Sequence, residues 1–114
     1  MKYLLMVCVD ESIELTPEED AAEMEAVGAW AREMDNRGVR VLGDRLRPVS
    51  DATSVQLRGG ELLISDGPFA ETKEQMAGFD VIECADLKEA IEVASKHPGA
   101  KLGTIELRPF WPEE

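Results

Sequence analysis

Two hydrophobic periods alternate along the chain, and each change of period marks an element. Tyr3-Leu4-Leu5-Met6-Val7-Cys8-Val9 is a continuous apolar run too short for a typical helix. As a strand it places Tyr3, Leu5, Val7 and Val9 on one face and Leu4, Met6 and Cys8 on the other, so both faces need cover. The period then lengthens. Met24, Val27, Trp30, Ala31 and Met34 fall on one helical stripe. Thr16 with Glu19 forms a capping box, Pro17 suits the first helical position, and Gly38 supplies a left-handed stop. A short strand over Val39–Leu42 ends at Gly43, and residues 47–51 form an irregular link.

Val55 and Leu57, then Leu62 and Ile64, alternate around Gly59-Gly60, which predicts a β-hairpin with a two-residue turn. Asp66-Gly67-Pro68 breaks the chain. Phe79–Cys84 reads as a strand whose alternation is imperfect. Asp86, with Glu89 three residues on, caps a second helix whose stripe is Leu87, Ala90, Ile91 and Ala94, and His97-Pro98-Gly99 stops it. Thr104–Arg108 alternates as a half-buried strand, and Phe110-Trp111 makes an apolar tail suited to packing. The order is β-α-β, an inserted hairpin, then β-α-β. Two such units with right-handed crossovers place both helices on one face of a mainly antiparallel sheet, an α+β fold of ferredoxin-like type. The other face of the first strand is then bare. Leaving three apolar side chains wet forfeits several kcal/mol at ~25 cal/mol per Å². A second protomer laid against that face removes the cost, and two-fold pairing is the commonest assembly. The alternative is that the hairpin or the Phe110-Trp111 tail folds over it.

Composition narrows the classes. The 114 residues make one domain over 1–114, 44% hydrophobic and 32% charged. A formal charge of −12 sets nucleic acid and membrane surfaces aside as partners. Cys8 and Cys84 both fall in strands and read as core residues; with one histidine in the chain, a metal site is not expected. The first strand is followed at once by Asp10 and Glu11 without a cleavage site, so no export signal is read and a cytoplasmic location is expected. No P-loop, dinucleotide fingerprint or serine nucleophile motif is present, and no cofactor is expected.

The run Ser65-Asp66-Gly67-Pro68-Phe69-Ala70-Glu71-Thr72-Lys73-Glu74 resembles the signature of the DGPF proteins, a branch of the YCII-related family. Gly43 with Leu46-Arg47-Pro48, Thr53, Gly60, Gly78-Phe79, His97-Pro98-Gly99 and Gly103 with Glu106–Pro109 extend the likeness over nearly the whole chain. Val55-Gln56 stands where the family pattern has valine-arginine. The resemblance implies a dimeric α+β barrel, two ferredoxin-like sheets packed face to face. It also implies a histidine and an aspartate sharing a cleft, and for part of the family a regulatory link to extracytoplasmic-function sigma factors.

Candidate chemistry centres on His97, which reads either as a general acid or base or as a helix-terminal residue bonding free carbonyls. Asp66 either orients His97 or serves the turn at Gly67-Pro68. Phe69 lines a ligand site or plugs the loop into the core. Residues 71–74 read as a solvated helical turn or as ligand contacts. Lys73 and Arg108 are the candidates for holding an anionic substrate; Asp44 and Arg45 are weaker candidates. Two functions remain open: a cofactor-independent small-molecule enzyme using His97 and Asp66, or a ligand-binding or sigma-factor partner module.

Overall fold

A computed structural model describes residues 1–112. Strand β1 (Lys2–Val9) is an inner strand of a four-stranded sheet. On one side it pairs with β5 (Gln75–Glu83), Leu5 opposite Asp80; on the other with β6 (Thr104–Pro109), Leu5 opposite Leu107. Strand β2 (Arg40–Arg45) lies outside β5, giving the order β2-β5-β1-β6. Every pairing is antiparallel, and the sheet stays open within the chain.

Helix α1 (Pro17–Asn36) starts where the capping box predicts: the Glu19 N–H donates to Thr16 Oγ1 at 3.1 Å and the Thr16 N–H to the Glu19 carboxylate at 3.0 Å. Gly38 follows the helix at φ 70°. Helix α2 (Leu87–Ser95) is capped by Asp86, which accepts from the Glu89 N–H at 2.9 Å. Both helices cover one face of the sheet. Tyr3, Leu5 and Val7 pack there with Ile82, Trp30, Met34 and Val93, and the Trp30 indole donates to the Val93 carbonyl at 3.0 Å, tying the helices together.

Several boundaries differ from the sequence reading. Strand β2 runs through Gly43 to Arg45, because Gly43 pairs opposite Asp80. Strand β5 begins at Gln75, where polar and small residues are held by their partners Val9, Cys8 and Val7 on β1. The chain does not stop after Pro98: Gly99–Leu102 forms a one-turn helix, α3. Residues 71–74 form no helical turn.

The far face of β1 is less bare than the pattern predicts. Met6, between Phe79 and Glu106, is buried, and Leu4 and Cys8 are half-buried. A continuous exposed apolar face lies on the hairpin of β3 (Thr53–Arg58) and β4 (Glu61–Asp66), which forms its own two-stranded sheet. Gly59 and Gly60 turn it at φ 58° and 81°. Its pairing Val55–Ile64 and Leu57–Leu62 puts four apolar side chains on one face, and all four are exposed. The tail does not pack either; Trp111 is exposed. The hairpin widens the chain to 47 × 46 × 19 Å with a radius of gyration of 16.0 Å, against about 13 Å for a compact chain of this length.

Candidate functional site

Trp30 and Met34 anchor the second half of α1 in the core, whereas Met24 in its first half and Val27 at its middle are only half-buried. Between that first half and the sheet lies a cavity of about 850 Å³. Its apolar wall is formed by Val7, Val9, Met24, Val27 and Trp30. Three further elements bring Gly43, Asp80 and His97 to it.

Asp80 is buried on the helix-facing side of β5. One carboxylate oxygen, Oδ1, accepts from Arg40 Nε at 2.8 Å. The same guanidinium donates to the Gly43 carbonyl at 3.0 Å and to the Asp35 carboxylate at 3.3 Å, so its fork is occupied. Gly43 makes room for this arrangement, since a Cβ there would overlap the Asp80 carboxylate. Burial pushes the Asp80 carboxyl above its usual range, against the opposing pull of Arg40. Asp80 Oδ2 has no hydrogen-bond partner among the described residues, where no fully buried side-chain oxygen lacks one, so Oδ2 keeps some accessible surface, and Asp80 lines the cavity.

His97 is 3% exposed. Its Nδ1 accepts the Gly99 N–H at 2.9 Å, which leaves the ring proton on Nε2. The ring meets Trp30 edge to face with centroids 4.7 Å apart. Gly99 is required for this contact; a Cβ there would crowd Val7 and the His97 ring. Burial pushes the His97 pKa down to about 4, so the imidazole is neutral at pH 7. The structure thus gives His97 a terminal role different from the expected one: its ring nitrogen accepts from a following backbone N–H instead of donating to free carbonyls. Its Nε2 likewise has no partner among the described residues and is not fully buried, and His97 lines the cavity.

Asp66, Phe69, Lys73 and Arg108 do not line this cavity. Asp66 ends β4 opposite Thr53 and is exposed. Phe69 is 89% exposed beside Val55 and Leu57 at a second depression, so it does not plug the core. Lys73 is exposed and helps hold the Asp10 carboxyl below its usual range, behind the hydrogen bonds from Ser12. Arg108 stands opposite Leu4 on the far side of the sheet. The weaker candidates Asp44 and Arg45 do line the cavity. Asp80 and Arg40 escaped the sequence reading. The available signal was an acid within the apolar run Phe79–Ile82, at the phase that faces the helices.

Both cysteines are free, and burial pushes both thiols up; Cys84 lies in the core as expected, whereas Cys8 is half-buried on the far face of β1. No group of three or more candidate metal ligands occurs among the described residues. No described helix is long and apolar enough to cross a membrane.

The model of the YCII-related domain matches residues 1–114. An uncharacterized protein of Rhizobium meliloti (strain 1021) is 37% identical over 114 residues, covering 96% of this chain and 92% of that protein.

Proposed function

The chain belongs to the YCII-related family, and from that premise we propose that it is a homodimeric small-molecule-binding protein whose ligand enters the cavity beneath the first half of α1. The observation that carries this reading is a cavity of about 850 Å³ with an apolar wall and two buried polar side chains, Asp80 and His97, each with one atom left unpaired. Cavities of roughly 300–1,000 Å³ with few convergent polar groups are typical small-molecule sites.

The dimer reading rests on the hairpin. A two-stranded hairpin alone in water is marginal at best. Four apolar side chains on one side, each worth about 1.5 kcal/mol or more when buried, favour cover by a second copy. The strand order β2-β5-β1-β6 supports the ferredoxin-like reading, and the Ser65–Glu74 motif supports the DGPF branch. A ligand sensor acting beside an extracytoplasmic-function sigma factor would use the same cavity.

A second reading, acid–base catalysis, is favoured by the neutral imidazole of His97, which lines the cavity with Nε2 unpaired. Its carboxylate partner would be Asp80, which shares the cavity, and not Asp66, which does not line it. Calorimetric screening of small apolar molecules against the chain and against Val27→Trp tests the binding reading. Binding by the parent and its loss on filling the cavity support it; binding unchanged in Val27→Trp would place the ligand elsewhere. If a screened compound is turned over, His97→Gln should abolish turnover, and undiminished turnover would remove the histidine from the chemistry.

A further inference from the structure

The charges around the cavity have a sign. Asp10, Glu11, Asp20, Glu23, Asp44 and Asp80 line it against Arg40, Arg45 and Arg47, a formal excess of three negative charges. The three guanidinium groups are already answered. Arg40 is held by Asp80, Asp35 and the Gly43 carbonyl; Arg45 pairs with Asp20 at 2.8 Å; Arg47 pairs with Asp51 at 3.0 Å. The carboxylates outnumber them: Asp20 and Asp80 are paired with Arg45 and Arg40, whereas Glu23 and Asp44 make no ion pair among the described residues, and Asp80, 7% exposed, keeps Oδ2 without a hydrogen-bond partner. The chain as a whole carries −12, which adds to the same field.

We propose that the ligand of this cavity is a hydrophobic ammonium compound, with its apolar body against Val9, Met24, Val27 and Trp30 and its cation on Asp80 Oδ2. The proposal rests on the cavity being a ligand site and adds the chemical class. An anionic ligand would have to compete with the carboxylate already paired to each lining guanidinium and would be pressed against a surplus of carboxylates. An ammonium instead replaces part of its hydration shell with Oδ2, and the low-dielectric wall strengthens that attraction. The His97 Nε2–H is a buried donor available to an acceptor on the same molecule. Lys73 and Arg108, the two cations the sequence offered for an anionic substrate, lie outside the lining.

Three probes of one shape read the sign directly: phenethylamine, 2-phenylethanol and phenylacetate at pH 7. Titrations follow heat and also Trp30 fluorescence in a Trp111→Phe background, since Trp111 is exposed and remote from the core. The amine should bind about tenfold more tightly than the alcohol, and phenylacetate most weakly. Raising salt to 0.5 M (about a 4 Å screening length) should weaken the amine and leave the alcohol unchanged. Asp80→Asn should bring the amine-to-alcohol ratio close to one without moving the alcohol. Should that variant not fold, Glu23→Gln with Asp44→Asn reads the same ratio, which should fall several-fold. An alcohol or phenylacetate that binds as tightly as the amine overturns the cationic class while leaving the cavity a ligand site. An amine-to-alcohol ratio unmoved in the folded variants overturns the assignment to these carboxylates. No binding by any probe at millimolar concentration overturns both this inference and the reading beneath it.

Discussion

The helix-covered face of the four-stranded sheet and the β3–β4 hairpin share one kind of pattern, alternating aliphatic side chains on antiparallel strands, with opposite outcomes. Leu5 and Ile82 are fully buried, whereas Leu57 and Ile64 are each 64% exposed. Alternation decides only which side of a strand is apolar. Burial needs a second surface. For β1 and β5 the chain supplies one, since α1 and α2 are amphipathic and their connections bring them onto the sheet. For the hairpin no element among the described residues does so. The same lesson applies to ligand binding: the first half of α1 is only partly seated, and the gap beneath it is the cavity.

Breaking the hairpin side of the contrast should have the largest effect. If a second copy covers it, Leu57→Glu with Ile64→Glu should weaken self-association by about a hundredfold or more, several kcal/mol, with the fold retained. Sedimentation should then move from dimer to monomer at micromolar concentration. A parent protein that already sediments as a folded monomer would sink the dimer. In that case the two substitutions should alter unfolding free energy by no more than about 0.5 kcal/mol each, as at any exposed site.

Breaking the buried side is the next test. Leu5→Ala should cost about 3 kcal/mol in urea unfolding with little change in the slope, because Leu5 is enclosed on every side. A cost below about 1 kcal/mol would mean that the core is looser than its packing indicates.

His97 sharpens the contrast through pH. Its folded pKa of about 4 lies below the ordinary value of 6.5, so the unfolded chain binds the proton more readily. The stability tied to neutral His97 is fully present above pH 6.5 and is lost as pH falls toward 4, at most roughly 3 kcal/mol after allowing for water in the cavity. His97→Gln should flatten that slope between pH 6.5 and 4; an identical slope would assign the loss to other groups. The smallest effect is local. Thr16→Ala removes the cap of α1 and should cost about 1 kcal/mol by thermal or urea unfolding.

Where local chemistry was sufficient, the sequence was legible. Thr16 and Glu19, Asp86 and Glu89, and the Gly59-Gly60 turn each act within a few residues, and all three were read at the right positions. Legibility failed where a partner strand overrides local preference. Gln75-Met76-Ala77-Gly78 joins β5 because β1 offers hydrogen bonds to it, and Phe69 was free to lie outside the core because its loop leaves the sheet. In the cavity, His97 was found as the single histidine, while its expected companion Asp66 was chosen by motif and lies elsewhere.

The residues alone determined the family, the two helices with their caps, the apolar face of the hairpin and a net negative charge. Tertiary structure decided which charges meet. Arg40 and Asp80 are forty positions apart, and they join because the pairing of β2 with β5 sets Gly43 opposite Asp80 and leaves space only a glycine permits. His97 reaches the same cavity through the turn into α3, where Gly99 closes on its ring. Side-chain type and spacing carry local preferences, but a site assembled from separate strands exists only once the register between them is set.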